Sequence, residues 1–304
     1  MILNRENLSA LSRTLKALVF EAKEGYTPLW PKLALEVQSN GRANYYAWME
    51  NMPTMRLWEG ERQVQNLTAE TFAITNADWE ATFAVSRTDV EDDQMDLIRI
   101  TALQYARRWA EHDDFLIADL LRKGFQQKGY DGRPFFGSHT VGKRTFQNAS
   151  NAPLTREAFR QALSQMRQLT DARGYPLGFF LQKPIYLVVG PGLESTAYEI
   201  VGVPTLPSGG ANPDYGKAEI LVSPWLVEEY ETYWFLVDGS QAIRPFVLQR
   251  RSRPEWVAKD DPDTSDEVFK RNVFIYGVYE RKAAGYLFWQ LAYGSTGTGT
   301  GTGA

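Results

Sequence analysis

Cysteine is absent from this chain of 304 residues. Its absence excludes disulfides, catalysis by a thiolate and the zinc sites that use sulfur ligands. The fold must therefore be stabilised by packing within the chain or by association with other chains.

Histidine is scarce, since His112 and His139 are the two in the sequence. They are too few for a histidine-rich metal site and too far apart to pair through local spacing. Catalysis by a serine nucleophile needs a base that a carboxylate orients, and no G-x-S-x-G elbow occurs. The sequence predicts no catalytic residue, no metal ligand and no cofactor.

The sequence also lacks a long apolar run. None approaches the roughly 20 residues that span a bilayer, and Arg5, Arg13 and Lys16 interrupt the first apolar pattern, unlike a signal peptide. The net charge is −4, which argues against a protein whose main task is binding phosphates. We expect a chain made in the cytoplasm, with nucleic acid as a neighbour rather than a ligand.

Two segments have a spacing that suggests chemistry, and each has a plainer alternative. Gly190-Pro191-Gly192 separates a predicted strand from a predicted helix, as phosphate loops do, but Ser195 stands where a dinucleotide-binding fingerprint has glycine. A tight turn is the alternative. The acidic run at 260–267 could be a cation site or a solvated loop, although the glycine of a calcium loop is missing. The arginines just before it could pair with it, within or between subunits.

What the chain does have is enough apolar surface for a sizeable core. Hydrophobic residues make up 43% of it and aromatic residues 13%, including 9 tryptophans. At this length we expect two subdomains or one elaborated domain. Mixed helix and strand patterns predict the α+β class.

The first 50 residues read as a helix followed by an arm. Asn4 or Asn7 can cap a helix whose leucines recur at helical spacing until Gly25 and Pro28 end it. The stretch at 26–53 has aromatic residues without a period. We interpret it as an extended arm that needs other surfaces to bury its aromatic side chains.

Residues 55–90 have strand character. Trp79 and Phe83 alternate with polar residues, and the turn at 75–78 predicts a β-hairpin with the strand around Phe72. Residues 56–62 would form a further strand or the approach to it. Because two strands cannot bury both faces, we expect this hairpin to need a neighbour.

A helix capped by Thr88 or Asp89 follows, and His112-Asp113-Asp114 predicts a break and restart within it. A second helix is predicted after Thr155, then a buried strand at 185–189, a helix at 194–201 and a mobile loop at 204–217. The strands predicted after that loop lie at 219–223, 230–237, 246–249, 273–280 and 285–292.

Several stretches resemble the major head subunit of Mu-like tailed bacteriophages. The resemblance runs from about residue 4 to 295 and is carried by 55–67 (MRLWEGERQVQNL), 83–93 (FAVSRTDVEDD), 130–136 (YDGRPFF), 186–194 (YLVVGPGLE) and 289–295 (WQLAYGS). It implies the Hong Kong ninety-seven type capsid fold. The implied divisions are an N-terminal arm (1–50), an extended hairpin loop (51–90), a peripheral domain with a spine helix (91–150), an axial domain (151–245), peripheral return strands (246–293) and a flexible Gly/Thr tail (294–304).

The resemblance implies a structural capsid protein that self-assembles as hexamers and pentamers into the icosahedral head around a phage genome, with portal, scaffold and maturation protease as partners during assembly and no membrane. Its place would be the virion head, assembled in the host cytoplasm. A monomeric enzyme or a carbohydrate-binding module remains the alternative. Candidate intersubunit residues are Leu8, Leu11, Leu15, Leu18, Arg56, Trp58, Arg62, Phe72, Trp79, Phe83, Arg87, Arg250, Arg251 and Arg253.

Overall fold

The structure is a computed structural model that describes residues 4–49, 69–261 and 264–299. Its α-helices are α1 (Arg5–Glu24), α2 (Trp30–Leu33), α3 (Arg87–Glu91), α4 (Met95–Lys123), α5 (Arg156–Arg167), α6 (Glu194–Ala197) and α7 (Asp266–Arg271). Within those ranges, each helix is too short or too polar to cross a membrane.

Fourteen strands accompany the helices in the described ranges. They are β1 (Ala34–Gln38), β2 (Ala43–Met49), β3 (Ala69–Thr75), β4 (Ala77–Ser86), β5 (Ser138–Val141), β6 (Arg144–Gln147), β7 (Ala149–Ser150), β8 (Ile185–Val189), β9 (Glu219–Val222), β10 (Trp234–Asp238), β11 (Phe246–Arg250), β12 (Glu255–Lys259), β13 (Val273–Tyr286) and β14 (Ala292–Ser295). The predicted α+β class is confirmed.

One sheet is built around the long strand β13. Along one edge β13 pairs with β4, and along the other it pairs first with β12 and then with β11, which in turn pairs with β1. Helices α1 and α4 cover this sheet, and their buried residues share a core with Phe274 and Tyr276 of β13. β13 runs along α4, because Glu280 is bonded to Trp109 and Tyr286 to the carbonyl of Leu120.

The second sheet has the order β7-β14-β10-β8-β9. Its strands β8 and β10 are buried along their whole length, and α5 packs against them through Phe159 and Leu163. The strand predicted at 185–189 and the helix after Thr155 are confirmed, with the hydroxyl of Thr155 accepting a hydrogen bond from the N–H of Ala158. The larger of the two cores surrounds this sheet and extends to α2, to α4 and to residues of β1, β11 and β13 in the first sheet.

The sequence predicted a break in helix α4 at His112-Asp113-Asp114, and this prediction is wrong. The helix continues through 29 residues. Both aspartates are buried and have partners outside the helix. Asp114 accepts hydrogen bonds from the N–H groups of Leu29 and Trp30 and from the hydroxyl of Tyr26. The apparent helix-breaking signal is therefore an anchor for the segment that follows α1.

The predicted hairpin between the strands around Phe72 and Trp79 is also wrong. β3 pairs with β2, from Ala43 opposite Thr75 to Met49 opposite Ala69, whereas β4 belongs to the first sheet. We call this pair of strands, β2 with β3, the ribbon. Consequently β4, which lies within the range predicted as the 51–90 loop, is a strand of the first sheet. The predicted 1–50 arm contributes β1 to the first sheet and β2 to the ribbon.

The predicted carboxyl-terminal elements need three corrections. The strand predicted at 273–280 continues as β13 to Tyr286, so it takes in only the start of the strand predicted at 285–292, whose later part contains the 3-10 helix Trp289–Leu291. The last strand, β14, joins the second sheet instead of the first. The predicted flexible tail begins in β14. Residues beyond β14 are hydrogen-bonded to the chain next to β7, and the N–H of Gly299 donates to the carbonyl of Asn151. The described part of that tail is ordered because its backbone finds partners.

Candidate functional site

Among the described residues, one group of titratable side chains has an arrangement that could hold a metal ion. It consists of His112, Asp113 and Glu280, whose ligand atoms are all within 4.8 Å of one another. The ammonium of Lys282 already lies among them. It donates to Oδ1 of Asp113 at 2.6 Å and to Oε1 of Glu280. A lysine therefore provides the positive charge that a metal ion would supply, and we read the cluster as an ion network.

Arg250, one of the candidate intersubunit residues, completes this network within its own chain. Its guanidinium donates to Asp113 at 2.7 Å and to Glu36 at 2.8 Å. Burial raises the pKa of Asp113, but the adjacent Lys282 and Arg250 outweigh it and hold this pKa below its usual value. The network joins β1, β11, β13 and α4, so Arg250 is a structural residue of its own subunit.

The other two candidate arginines lie just beyond Arg250 in the chain. Arg251 is half-buried and Arg253 is exposed, and the backbone of Arg251 is bonded to Arg281 on β13. The acidic run is bonded to other residues, since Asp266 is paired with Lys259 and Asp261 lies 3.9 Å from Arg5. Pairing of the acidic run with the arginine cluster between subunits stays a prediction.

His112 lies at the edge of the network, with its ring against Trp79 at 4.5 Å between centroids. Burial and the nearby ammonium of Lys282 lower the pKa of His112 to about 4. His139 is fully buried, stacks on Trp289 at 4.0 Å and lies 2.6 Å from Asp131. Both histidines have a packing role.

The candidate aromatic residues Phe72, Trp79 and Phe83 are half-buried against their own subunit. Phe83 contacts Tyr105 at 4.7 Å, and Nε1 of Trp79 donates to the carbonyl of Lys282 at 3.0 Å. Phe72 stacks on Tyr46 of the ribbon at 5.6 Å. The sequence could not show this burial because it depends on β13 and α4, which are distant along the chain.

The leucine stripe of α1 is divided between core and surface. Leu8, Leu11 and Leu15 are between 1% and 4% exposed and pack against α4 and the first sheet, so the prediction that they dock on another part of a shell is corrected for these three. Leu18 is half-buried. Arg87 is on the surface and is paired with Glu91 at 3.0 Å, while Arg56, Trp58 and Arg62 lie outside the described residues.

An open groove lies between α1 and the amino-terminal end of α4, with a volume of about 740 Å³. We call it the α1/α4 groove. Its lining includes Ala10, Ala17 and Leu18 from α1 and Met95 and Ile98 from α4. The sequence carries no signal for this groove, because a groove between helices depends on how they pack.

Apolar side chains continue from this groove along the exposed face of α4. Leu97 and Ile100 are each 53% exposed, and Leu103 is 37% exposed. Ile100 and Leu103 lie one helical turn beyond the groove residues Asp96 and Arg99. An apolar surface of this kind marks an interaction site when it is contiguous.

The loop at 204–217, predicted to be mobile, is fixed by Asp214, which is fully buried. Arg156 and Arg160 of α5 and Lys217 donate to its carboxylate at distances of 2.7 to 3.0 Å. Burial acts to raise the pKa of Asp214, but these three donors lower it to about 2. The loop is therefore tied to the helix that covers the second sheet.

Gly190 supports the tight-turn interpretation of Gly190-Pro191-Gly192. A Cβ at position 190 would meet the carbonyl oxygen of Leu226 at 2.0 Å, so only glycine fits there. The turn leads into a short 3-10 helix, Pro191–Leu193, and then into α6. The close backbone approach explains this glycine without a phosphate.

Most of the sequence matches one family model, that of the Mu-like prophage major head subunit gpT, over residues 8–152, 141–226 and 227–302. The chain belongs to this family. It is 28% identical over 265 residues to the major capsid protein of Escherichia phage Mu, covering 86% of this chain and 64% of that protein. It is 26% identical over 270 residues to the Mu-like prophage FluMu major head subunit of Haemophilus influenzae, covering 88% and 66% respectively. The chain therefore spans about two thirds of the length of these relatives.

Solved shell structures have the same fold. The bacteriophage JBD30 procapsid gives a TM-score of 0.59 at 22% identity and covers 96% of this chain and 76% of its own chain. The JBD30 capsid gives 0.57 at 22% identity, covering 75% and 100%. A virus-like particle from Pyrococcus furiosus gives 0.56 at 9% identity, covering 93% and 98%. These structures confirm the predicted Hong Kong ninety-seven type capsid fold for this chain.

Proposed function

We propose that this chain is a major capsid protein, which assembles with copies of itself as hexamers and pentamers into the icosahedral head of a Mu-like phage. The observation that carries the proposal is the match of fold and family over most of the chain. The role is structural and needs no catalytic residue. Its place is the virion head, with assembly in the host cytoplasm.

The surface of the subunit supports this role. The ribbon extends from the first sheet with two strands of seven residues each, and the α1/α4 groove exposes apolar side chains. A closed shell requires one sequence to make several slightly different contacts, which a rigid core with extensions can provide. Obligate interfaces of this kind bury on the order of 2,000 to 5,000 Å².

Other partners follow from the same proposal. Portal, scaffold and maturation protease would contact the subunit during assembly, and packaged DNA would lie beside the shell without being read. The net charge of −4 is consistent with DNA as a neighbour, because a DNA-binding surface would carry an excess of lysine and arginine.

Sedimentation of the expressed chain tests the proposal. We expect megadalton particles or capsomers, and electron microscopy should show closed shells or rings. A stable species of 34.6 kDa at all concentrations would contradict the proposal and favour the alternative of a monomeric enzyme or carbohydrate-binding module.

A further inference from the structure

The interior of the subunit encloses a lysine amine together with two carboxyl groups. The side chain of Lys282 is 1% exposed, and those of Asp113 and Glu280, which it contacts, are 5% and 4% exposed. A lysine amine that has lost its proton is a nucleophile, and a carboxyl carbon is an electrophile. A second carboxylate beside them can carry protons between the two. The set therefore contains every group that the formation of an amide between side chains requires.

The amine and the carboxyl group are already in contact. Nζ of Lys282 lies 2.6 Å from Oδ1 of Asp113. Because a carboxyl C–O bond adds about 1.2 Å at most, Nζ is within about 3.9 Å of the carboxyl carbon Cγ. Lys282 is on β13 and Asp113 is on α4, so regular elements hold both groups in place. Reacting groups that a fold holds at such a separation behave as if they were highly concentrated.

Glu280 and Arg250 are placed to assist the reaction. The carboxylate of Glu280 accepts a hydrogen bond from the ammonium of Lys282 and is fixed by Nε1 of Trp109 at 3.0 Å. Arg250 donates to Oδ2 of Asp113 at 2.7 Å. Attack on Cγ would place negative charge on Oδ2, and a guanidinium at hydrogen-bonding distance stabilises that charge. The same arginine keeps Asp113 ionised, so the reaction begins from an ion pair and is slow.

We propose that Lys282 and Asp113 condense to an isopeptide bond within one chain. The ammonium of Lys282 transfers a proton to Glu280, and the resulting amine attacks Cγ of Asp113, so a bond forms between Nζ and Cγ. The bond between Cγ and Oδ1 then breaks. Oδ1 leaves as water with two of the three protons of the original ammonium, one of them returned by Glu280. The third proton stays on the amide nitrogen. No group is oxidised or reduced, and no co-reactant is needed.

The product would keep the hydrogen bonds of the network. The new amide N–H can donate to Glu280, as the ammonium does, and the amide oxygen, which is the former Oδ2 of Asp113, can accept from Arg250. The condensation also removes one positive and one negative charge from a buried site, where ions carry a large desolvation cost. Release of water from this interior therefore favours the amide, although the free ions are favoured in bulk water.

Such a link would join the spine helix α4 to the central strand β13 of the first sheet. It closes the long stretch of chain from Asp113 to Lys282, and a crosslink of this kind stabilises a fold by restricting its unfolded state. The inference goes beyond the proposed function, because the link forms inside one subunit and requires no assembly. In detergent the linked chain still runs as a monomer.

The intact mass of the parent protein tests the proposal. After prolonged incubation of the native protein, we expect a mass lower than that of the sequence by one water molecule. A peptide map should show one branched peptide, which joins residues 113 and 282. The internal control is Lys259 with Asp266, a contact between exposed side chains that should give no branched peptide. The full mass in incubated native subunits and in particles would overturn the proposal.

Three variants identify the reacting groups. Asp113→Asn should give the same branched peptide, because an asparagine amide releases ammonia where the aspartate releases water. Lys282→Arg keeps the positive charge and should retain its full mass. Glu280→Gln removes the proton acceptor and should slow the reaction at least about a hundredfold. Circular dichroism identifies the variants that fold, and the parent's mass decides the proposal even where a variant does not fold. Loss of water at the parent's rate from folded Lys282→Arg would refute the assignment.

This proposal and the shell function fail in different ways. If the parent forms particles whose subunits keep the full mass, the isopeptide bond is wrong and the shell function stands. If the subunit carries the link but forms neither particles nor capsomers, the shell function is wrong and the link stands.

Discussion

The ammonium of Lys282 lies 2.6 Å from Oδ1 of Asp113, and this pair joins strand β13 to the middle of helix α4. The side chains are 1% and 5% exposed. Arg250 and Glu280 surround them, so each charge has an opposite charge within hydrogen-bonding distance. Breaking one partner of such a buried pair leaves an uncompensated charge in a region of low dielectric constant.

Lys282→Met should therefore destabilise the subunit by about 3 to 5 kcal/mol in urea unfolding, because Asp113 and Glu280 would remain buried without their ammonium. The control is Lys259→Met, which removes the exposed pair with Asp266 and should cost much less stability than Lys282→Met. Similar losses for both variants would show that the buried network does not stabilise the fold.

His112 should make the subunit sensitive to moderate acid. The folded state lowers the pKa of this histidine from 6.5 to about 4, so folding favours the neutral ring. The contribution of neutral His112 to folding stability is fully present above about pH 6.5, and it is lost as the pH falls toward 4. We expect a loss on the order of 1 to 2 kcal/mol, since part of the ring is accessible to solvent.

The measurement is urea unfolding at pH 7 and pH 4.5 for the parent and for His112→Phe, which keeps a ring against Trp79. The variant should lose less stability over this interval than the parent. Asp113, whose pKa is depressed, contributes its own loss at still lower pH. Parallel losses in the two proteins would contradict the role of His112.

Leu15 should be a core residue of the subunit. Leu15→Ala should cost about 2 to 5 kcal/mol of subunit stability, because the side chain is 2% exposed against α4 and the first sheet. Leu97→Ala, at an exposed position on α4, should leave the stability almost unchanged. A Leu15 variant with normal melting but defective assembly would restore the original prediction that the leucine stripe docks on another part of the shell.

Arg62 and Trp79 are both candidate intersubunit residues, but we expect different effects when each is replaced. Arg62→Ala should reduce particle yield or particle melting temperature while the circular dichroism of the subunit stays unchanged. Trp79→Ala should in addition destabilise the subunit, because it removes the contact with His112 and the hydrogen bond to Lys282. The predicted intersubunit role of Arg62 would be wrong if its variant formed shells as stable as the parent's.

The shell should be held without covalent links through the segment that precedes β4. In some members of this fold a hairpin lysine joins an asparagine of a neighbour, but no lysine occurs between Lys32 and Lys123 in this chain. Particles boiled in detergent should therefore run as monomers. A ladder of covalent oligomers would count against this prediction.

Local features of the fold were determined by the sequence itself. Asn4 and Thr155 cap their helices because a side-chain oxygen at the first position satisfies a free N–H group, whatever the rest of the chain does. The all-apolar run of β8 likewise indicated a buried strand, because its side chains require burial on both faces. The motifs that carried the family resemblance are equally local.

Tertiary structure alone decided the partners of these elements. Alternation in β4 showed which face is apolar but not that the strand pairs with β13, roughly two hundred residues away, because strand pairing depends on distant backbone groups. Asp113 and Asp114 resembled a helix break until Lys282, Arg250 and the N–H of Trp30 were placed beside them. The α1/α4 groove has no sequence signal, because it is a space that two helices leave when they pack.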